Sequence, residues 1–224
     1  MNTKKLIVLE GGDAAGKATQ TALLVQHLEK EGYKVGTMDF PRYTQNTFGK
    51  LIKESLLGLH GDFMEKDPRV ASVLYAADRF EAKAEILALI EHNDIVVFDR
   101  YVTSNMLHQG AKIEDETERK EFLLWLEHVE YEIFGLPRPD LTLALAVSAS
   151  HRRFLLEQMV TDGIKNPDIA EQDNLHQERV ASCLVWLASV KDTWSTIQCS
   201  RDDALRTRED IHEEILTRIK PLVS

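Results

Sequence analysis

Cysteine is nearly missing from the 224-residue chain, which has two, Cys183 and Cys199. Two thiols cannot build a disulfide framework; they fit a reducing compartment, each as a small core residue. There is no basic excess either. Lys and Arg number 27 against 37 Asp and Glu, and the formal net charge of −10 excludes broad, non-specific nucleic-acid binding, which needs a basic footprint. A small phosphate ligand stays open, because it responds to the local field of its pocket. No long apolar run occurs: Met1-Asn2-Thr3-Lys4-Lys5 is followed only by Leu6 to Leu9, too short for a signal peptide and far from the roughly twenty residues of a membrane span. A cytoplasmic chain without membrane or nucleic-acid partners is expected. Repeats, linkers and low-complexity segments are absent too, so residues 1–224 read as one domain. What is present, 43% hydrophobic and 29% charged residues, suffices for a sizeable core.

Short apolar runs alternate with helical patterns. Leu6 to Leu9, Val35 to Phe40, Ile95 to Phe98 and Leu141 to Val147 predict buried strands, with Thr196 to Cys199 a weaker fifth. Lys17 to Glu31 predicts a helix stopped at Gly32. Val73, Ala77, Phe80, Ala84 and Leu87 recur at spacings of four and three, one apolar stripe along a long helix. Phe122, Trp125, Val129 and Ile133 predict a second stripe, and Val180, Leu184, Leu187 and Trp194 a third. Ile211, Ile215 and Ile219 mark a last helix, opened by Thr207 and Asp210 at capping-box spacing. Strand and helix in alternation imply βαβ crossovers: an α/β fold, a doubly wound parallel sheet of five strands with helices on both faces.

The first strand runs into Gly11-Gly12-Asp13-Ala14-Ala15-Gly16-Lys17-Ala18-Thr19. Gly11, four residues, Gly16 and Lys17 match the P-loop up to its last position, with a strand before and a helix after. Such a loop turns successive backbone N–H groups inward, the following helix adds positive potential at its N-terminus, and Lys17 reaches the β- and γ-phosphates. The bland alternative is a glycine-rich turn. Ala18 departs from the pattern, which expects a hydroxyl for Mg²⁺ there; Thr19 is turned by about 100° from that position.

Asp99-Arg100-Tyr101 ends the third strand on the edge where α/β folds bind ligands. Asp99 can serve Mg²⁺ there and Arg100 can fork onto phosphate, unless the two merely form a surface ion pair. Phe40-Pro41-Arg42-Tyr43 ends the second strand on the same edge. Tyr75 and Arg79, four apart, share a helix face distinct from the apolar stripe, where a ring and a guanidinium can stack on a flat base and donate to its edge; taken alone, Tyr75 is a packing residue.

The ordered set of phosphate loop with internal acid, Phe40-Pro41-Arg42-Tyr43, Tyr75 four before Arg79, and Asp99-Arg100-Tyr101 with Ser104-Asn105 after it resembles the thymidylate kinase family, most closely its bacterial form. Leu59-His60-Gly61-Asp62, Leu136-Pro137-Arg138-Pro139-Asp140 and Ala146-Val147-Ser148 are similar to the family as well. The likeness covers nearly the whole chain and is weakest between His151 and Glu171. It implies a P-loop kinase domain with a lid at about 151–171, phosphorylating dTMP to dTDP with ATP and Mg²⁺. The resemblance puts Gly11, Gly12, Asp13, Ala14, Ala15, Gly16, Lys17, Ala18 and Thr19 on the ATP phosphates. Asp13 would lie near the acceptor's sugar and phosphate, and Asp99, with Asp13, would serve the metal. Arg42 and Arg100 would grip the dTMP phosphate beside Phe40 and Pro41, Tyr75 would stack on thymine, Arg79 would donate to a ring carbonyl, and Ser104 and Asn105 would face the substrate. His108 stands where the family has Tyr or Phe beside the sugar's 2′ position. The family's lid arginine falls at Leu155, so lid charge is expected from Arg153 or Lys165, each also readable as a solvated helix residue. Glu171 and Asp173 resemble acids near the acceptor, or else complement a helix dipole. A homodimer is implied as well.

Two other readings stay open. One is a kinase of another pyrimidine nucleotide or of a deoxynucleoside on the same fold. The other is a nucleotide-binding regulatory module that turns over poorly, favoured by Ala18 and the sparse lid and opposed by the retention of Arg42 and Arg100.

Overall fold

The apolar runs become five parallel strands of one sheet: β1 (Lys5–Gly11), β2 (Val35–Asp39), β3 (Ile95–Asp99), β4 (Leu141–Ala146) and β5 (Trp194–Gln198), in the order β2-β3-β1-β4-β5. The computed structural model describes residues 4–163, 166–201 and 204–223. β1 is central, with Leu6 beside Val96 and Leu9 beside Asp99 on one flank, and Leu9 beside Leu143 on the other. Successive strand side chains leave opposite faces. Leu6, Val8, Val96, Phe98 and Ala144 therefore enter one core, and Ile7, Leu9, Ile95, Val97, Leu143 and Leu145 enter another. That double burial is why the strands read as continuous apolar runs.

The helices are α1 (Lys17–Lys30), α2 (Thr47–Leu56), α3 (Pro68–Glu81), α4 (Lys83–His92), the single turn α5 (Val102–Ser104), α6 (Glu116–Glu127), α7 (Ala149–Thr161), the short α8 (Ile169–Gln172), α9 (Asn174–Val190) and α10 (Arg208–Val223). Leu24 and Leu28 of α1 and Ile211, Ile215 and Ile219 of α10 cover one face of the sheet. Ile86 of α4, Phe122 and Leu126 of α6, and Val180, Leu184 and Leu187 of α9 cover the other. Each fully buried Leu or Ile contributes about 1.5–3 kcal/mol. Two π-helical stretches follow α5 and α6, at Asn105–Gln109 and His128–Ile133. A two-stranded hairpin, β6 (Ser200–Arg201) with β7 (Ala204–Leu205), precedes α10. Asp67, Asp115, Ser148 and Asp173 cap α3, α6, α7 and α9 by accepting from first-turn N–H groups, and Thr207 accepts from Asp210 N at the start of α10.

Three expected stripes come out differently. The long helix from Val73 is two helices meeting at Ala82, because α3 packs on α2 and α6 whereas α4 packs on β2 and β3. Its buried face carries Ala71, Ser72, Ala76, Asp78 and Arg79, while Val73, Phe80 and Leu87 are exposed. In the α6 region Phe122, Leu123, Leu126, Glu130 and Tyr131 are buried and Ile133 is exposed. Trp194 opens β5 and belongs to no helix. Cys183 and Cys199 are buried free thiols, and burial pushes each up to about 12.

The turn after β2 is fastened from below. Asp78 of α3 accepts from Arg42 N at 3.0 Å and from Asn46 Nδ2 at 2.8 Å. Gly49 of α2 lies so close beneath that a Cβ there would sit 2.0 Å from the Arg42 carbonyl oxygen. Gly49→Ala should therefore lower stability by about 1–3 kcal/mol through overpacking, measured by urea unfolding; an unchanged midpoint would show that the turn shifts freely.

Candidate active site

The loop between β1 and α1 wraps an open anion cradle. Gly16 takes φ 82° and Ala14 φ 59°, left-handed values that curl the backbone. The first turn of α1 has no acidic side chain and Gly16 provides no side-chain cap, so its N–H groups face the loop uncovered. Lys17, 7% exposed, folds back to donate to Gly12 O at 2.7 Å and Gly11 O at 3.2 Å. Burial, and then the neighbouring Arg100 charge, bring its ammonium down to about 8.

Arg100, at the end of β3, ties the loop to the opposite wall. Its Nη2 donates to Asp13 Oδ1 at 2.6 Å, and its Nη1 lies 3.5 Å from Glu10 Oε1 and 2.9 Å from His108 Nε2. Glu10 is fully buried, and its other oxygen accepts from Thr103 Oγ1 at 3.0 Å and Ser104 Oγ at 2.7 Å. A guanidinium only donates, so His108 Nε2 is the acceptor and the ring is neutral; burial, with Arg100 next, holds His108 well below the usual imidazole range. Gln177 Nε2 donates to Asp13 Oδ2 at 3.1 Å, joining α9 to the same network. Arg100 adopts φ 66°, a left-handed conformation held by these contacts.

Two cavities meet at this network, with Asp13, Phe40, Pro41, Tyr43 and Arg100 lining both. One extends over the loop and takes in Gly16, Lys17, Ala18 and Thr19, with Asp39 and Asp99, Leu155 and Met159 of α7, and Arg206 and Arg208. Asp39 and Asp99 are register partners at the ends of β2 and β3. The other cavity is narrower and carries Phe63, Tyr75, Arg79, Ser104, Asn105 and His108.

Beneath the narrow cavity lies a second buried acid. Glu130 accepts from Arg79 Nε at 2.5 Å and Nη2 at 2.6 Å, and from Asn105 Nδ2 at 2.9 Å. Asn105 Nδ2 also donates to Ser72 O at 3.1 Å. Both amide hydrogens are thus engaged below, leaving Oδ1 as the acceptor available above, beside the Arg79 donors that Glu130 does not use.

Most expected residues converge here: the loop from Gly11 to Thr19, Phe40, Pro41, Tyr75, Arg79, Asp99, Arg100, Ser104, Asn105 and His108. Two do not. Arg42 pairs with Glu85 of α4 at 2.5 Å and lines neither cavity, because the Asp78 anchor turns the chain at that point. Arg153 is exposed on α7; it is Arg152 that is buried, reaching Glu171 O and Asn174 Oδ1 at 3.3 Å each. Lys165 lies outside the described residues. Glu171 and Asp173 act as caps, Glu171 in a capping box with Asp168 and Asp173 at the start of α9. The sequence reading missed Glu10, Asp39, Gln177, Arg208 and Glu130. Of these, Glu10 and Asp39 carried a signal, being acids at the carboxyl ends of predicted strands.

A family profile described as thymidylate kinase matches residues 9–215. The thymidylate kinase of Mycobacterium tuberculosis (strain ATCC 25618 / H37Rv) is 38% identical over 144 residues, 64% of this chain and 66% of that relative, so the match spans just under two thirds of its length. That of Clavibacter michiganensis subsp. michiganensis is 33% identical over 226 residues, 99% of this chain and 97% of the relative. Among solved structures, thymidylate kinase from Candida albicans superposes with a TM-score of 0.73 at 23% identity, covering 98% of this chain and 92% of that one, which speaks for the fold.

Lys17 supplies a measurable signature. With the Lys17 ammonium at about 8, a bound polyphosphate raises it again by opposite charge. Between pH 8 and the higher bound value, ATP binding should take up protons, and affinity should fall as pH rises. Calorimetry at pH 8.5 in two buffers of different ionisation enthalpy should give net uptake in the wild type and a loss of it in Lys17→Met; equal uptake in both would reassign the titrating group.

Proposed function

The chain belongs to the thymidylate kinase family, and we propose that it transfers the γ-phosphoryl group of ATP to the phosphate of dTMP, giving dTDP and ADP. The observation that carries the choice of base is the edge formed by Arg79 and Asn105. Asn105 directs Nδ2 to Ser72 and Glu130 and so offers Oδ1, while Arg79 offers a guanidinium donor. An acceptor beside a donor complements the N3–H and C4=O of thymine or uracil and mismatches cytosine, whose N3 accepts and whose N4 donates. Tyr75, lining the same cavity, supplies the ring on which the base stacks. Adenine, whose N1 accepts and whose N6 donates, mismatches the same edge.

The chemistry needs little beyond positioning. A phosphate monoester has a second pKa near 6, so the accepting oxygen is anionic at neutral pH and no general base is required. Lys17 and the loop N–H groups hold the donor phosphates. Arg100 takes the acceptor phosphate, which replaces part of its contact with Asp13. Arg208, on the far wall, adds positive charge over the donor. Arg42 joins only by leaving Glu85. Mg²⁺ fits the donor set as well. It takes one or two carboxylates with substrate phosphates and water, and Asp99 and Asp39 stand in register beside Lys17 and Ala18. Asp99 would hold the ion with Asp39 at its side, Asp13 being engaged by Arg100 and Gln177. When bound, the ion neutralises charge on the transferring phosphates.

We infer further that residues 1–224 act as one catalytic domain, with the segment at about 151–171 as its lid. The shared sheet and the family match over residues 9–215 support this. A homodimer is part of the reading: Phe48 and Leu51 of α2, Val73 and Phe80 of α3 and Leu124 of α6 are exposed apolar side chains on helices that touch one another. Two free buried thiols, and no membrane-crossing helix among the described residues, fit a cytoplasmic enzyme. Light scattering after gel filtration should give twice the chain mass, and a value of one chain mass would remove the dimer.

The activity is tested by ADP release from MgATP with dTMP, dUMP, UMP, dCMP, dAMP and thymidine in turn. Turnover should be greatest on dTMP, with kcat/KM for dCMP and dAMP lower by about 100-fold or more. Preference for another acceptor would redirect the reading to a different nucleotide or nucleoside kinase. Nucleotide binding without turnover would favour the regulatory module that Ala18 leaves open.

A further inference from the structure

We propose that Glu130, which touches no substrate, is the residue that sets base selectivity, by fixing the orientation of both side chains that read the base. The inference rests on the pyrimidine-reading edge described above and extends it one layer down.

Glu130 is completely buried, and each of its oxygens faces donors only: Arg79 Nε at 2.5 Å on one, Arg79 Nη2 at 2.6 Å and Asn105 Nδ2 at 2.9 Å on the other. An acid whose oxygens all accept in this way is a carboxylate. That has a consequence for Asn105. An asparagine amide can turn over and exchange its donor and acceptor ends at small cost where its neighbours are indifferent. Here one neighbour is an anion and the other the Ser72 carbonyl, both acceptors, so only the nitrogen end can point down. The oxygen end is thereby presented to the cavity before any ligand arrives. Arg79, 2% exposed, is held by the two-pronged pair and cannot swing to another partner.

Backbone geometry supports a dedicated arrangement. Glu130 lies within the π-helical stretch His128–Ile133, and Asn105 opens the π-helical stretch Asn105–Gln109. A wide turn takes in an extra residue and moves the following side chains to a different helix face, and such turns concentrate at functional sites. A buried ion pair is a poor way to gain stability, since desolvation offsets most of the attraction, so specificity is the better account of its presence.

Glu130→Gln tests this. The new amide keeps its oxygen on the side shared by Arg79 Nη2 and Asn105 Nδ2, but its nitrogen then faces Arg79 Nε, so the two-pronged hold is broken and the Arg79 donor that reads the base is no longer fixed. The ratio of kcat/KM for dTMP to that for dCMP should fall by about tenfold or more, with the KM for ATP unchanged. A merely structural role would lower both acceptors together, and a folded Glu130→Gln with the wild-type ratio overturns the proposal. Glu130→Asp is the second variant; it keeps the charge but draws it back by one methylene from Arg79 and Asn105 alike, and its ratio should fall too. The wild type gives a readout independent of any variant. The Asn105 Nδ2 hydrogens should be protected from solvent exchange by NMR in the ligand-free protein, and rapid exchange there overturns the proposal. A wild type that does not prefer dTMP over dCMP at all would instead sink the base reading beneath it.

Discussion

Arg100 and Asp13, 2.6 Å apart, join the phosphate loop to the end of β3, and the cleft depends on that contact. Lys17 and Arg100 are like charges crowded into one largely buried place, and the Lys17 ammonium is lowered by burial and then by Arg100. Without counter-charge the cleft would push itself open. Asp13 and Glu10 supply that charge from the loop and from the strand beneath it. The same contact keeps Arg100 in a left-handed backbone conformation that a free strand end would abandon. The cations of the cleft are thus already assembled, each beside its counter-charge.

Buried acids do the organising throughout. Glu10 holds Thr103, Ser104 and the Gly11 amide, and reaches Arg100. Asp78 fastens the turn after β2, and Glu130 fixes Arg79 and Asn105. None of the three belongs to the surface acidity that gives the chain its net −10. The overall charge disfavours polyanions at a distance, yet Lys17, Arg100, Arg206 and Arg208 line one cavity. Local field and net charge are separate quantities, and a pocket screened from the rest of the surface obeys the first.

Much of this was legible in the chain. The five strands were readable because burial on both faces leaves uninterrupted apolar runs, and the loop was readable because Gly11, Gly16 and Lys17 satisfy a local backbone requirement. The helix faces were less so. Val73, Phe80 and Leu87 have the spacing of a core stripe but lie outside, because apolar periodicity reports a face that avoids water without saying whether this chain or a second copy covers it. Arg42 and Arg153 lie away from the two cavities for a related reason: a long flexible cation is directed by the nearest anion or by solvent, and Glu85, far along the chain, pairs with Arg42.

By itself, then, the sequence determined the parallel sheet, the phosphate loop and the ordered residues at the strand ends, since each follows from local patterning or from the backbone freedom of a few glycines. Only the tertiary structure decided which cation faces the cleft, that Asp39 stands beside Asp99, and that Glu130 lies beneath Arg79 and Asn105. Those are pairings between segments distant in the chain. Their energies depend on separations of a few ångströms and on exclusion of water, and a linear pattern records neither.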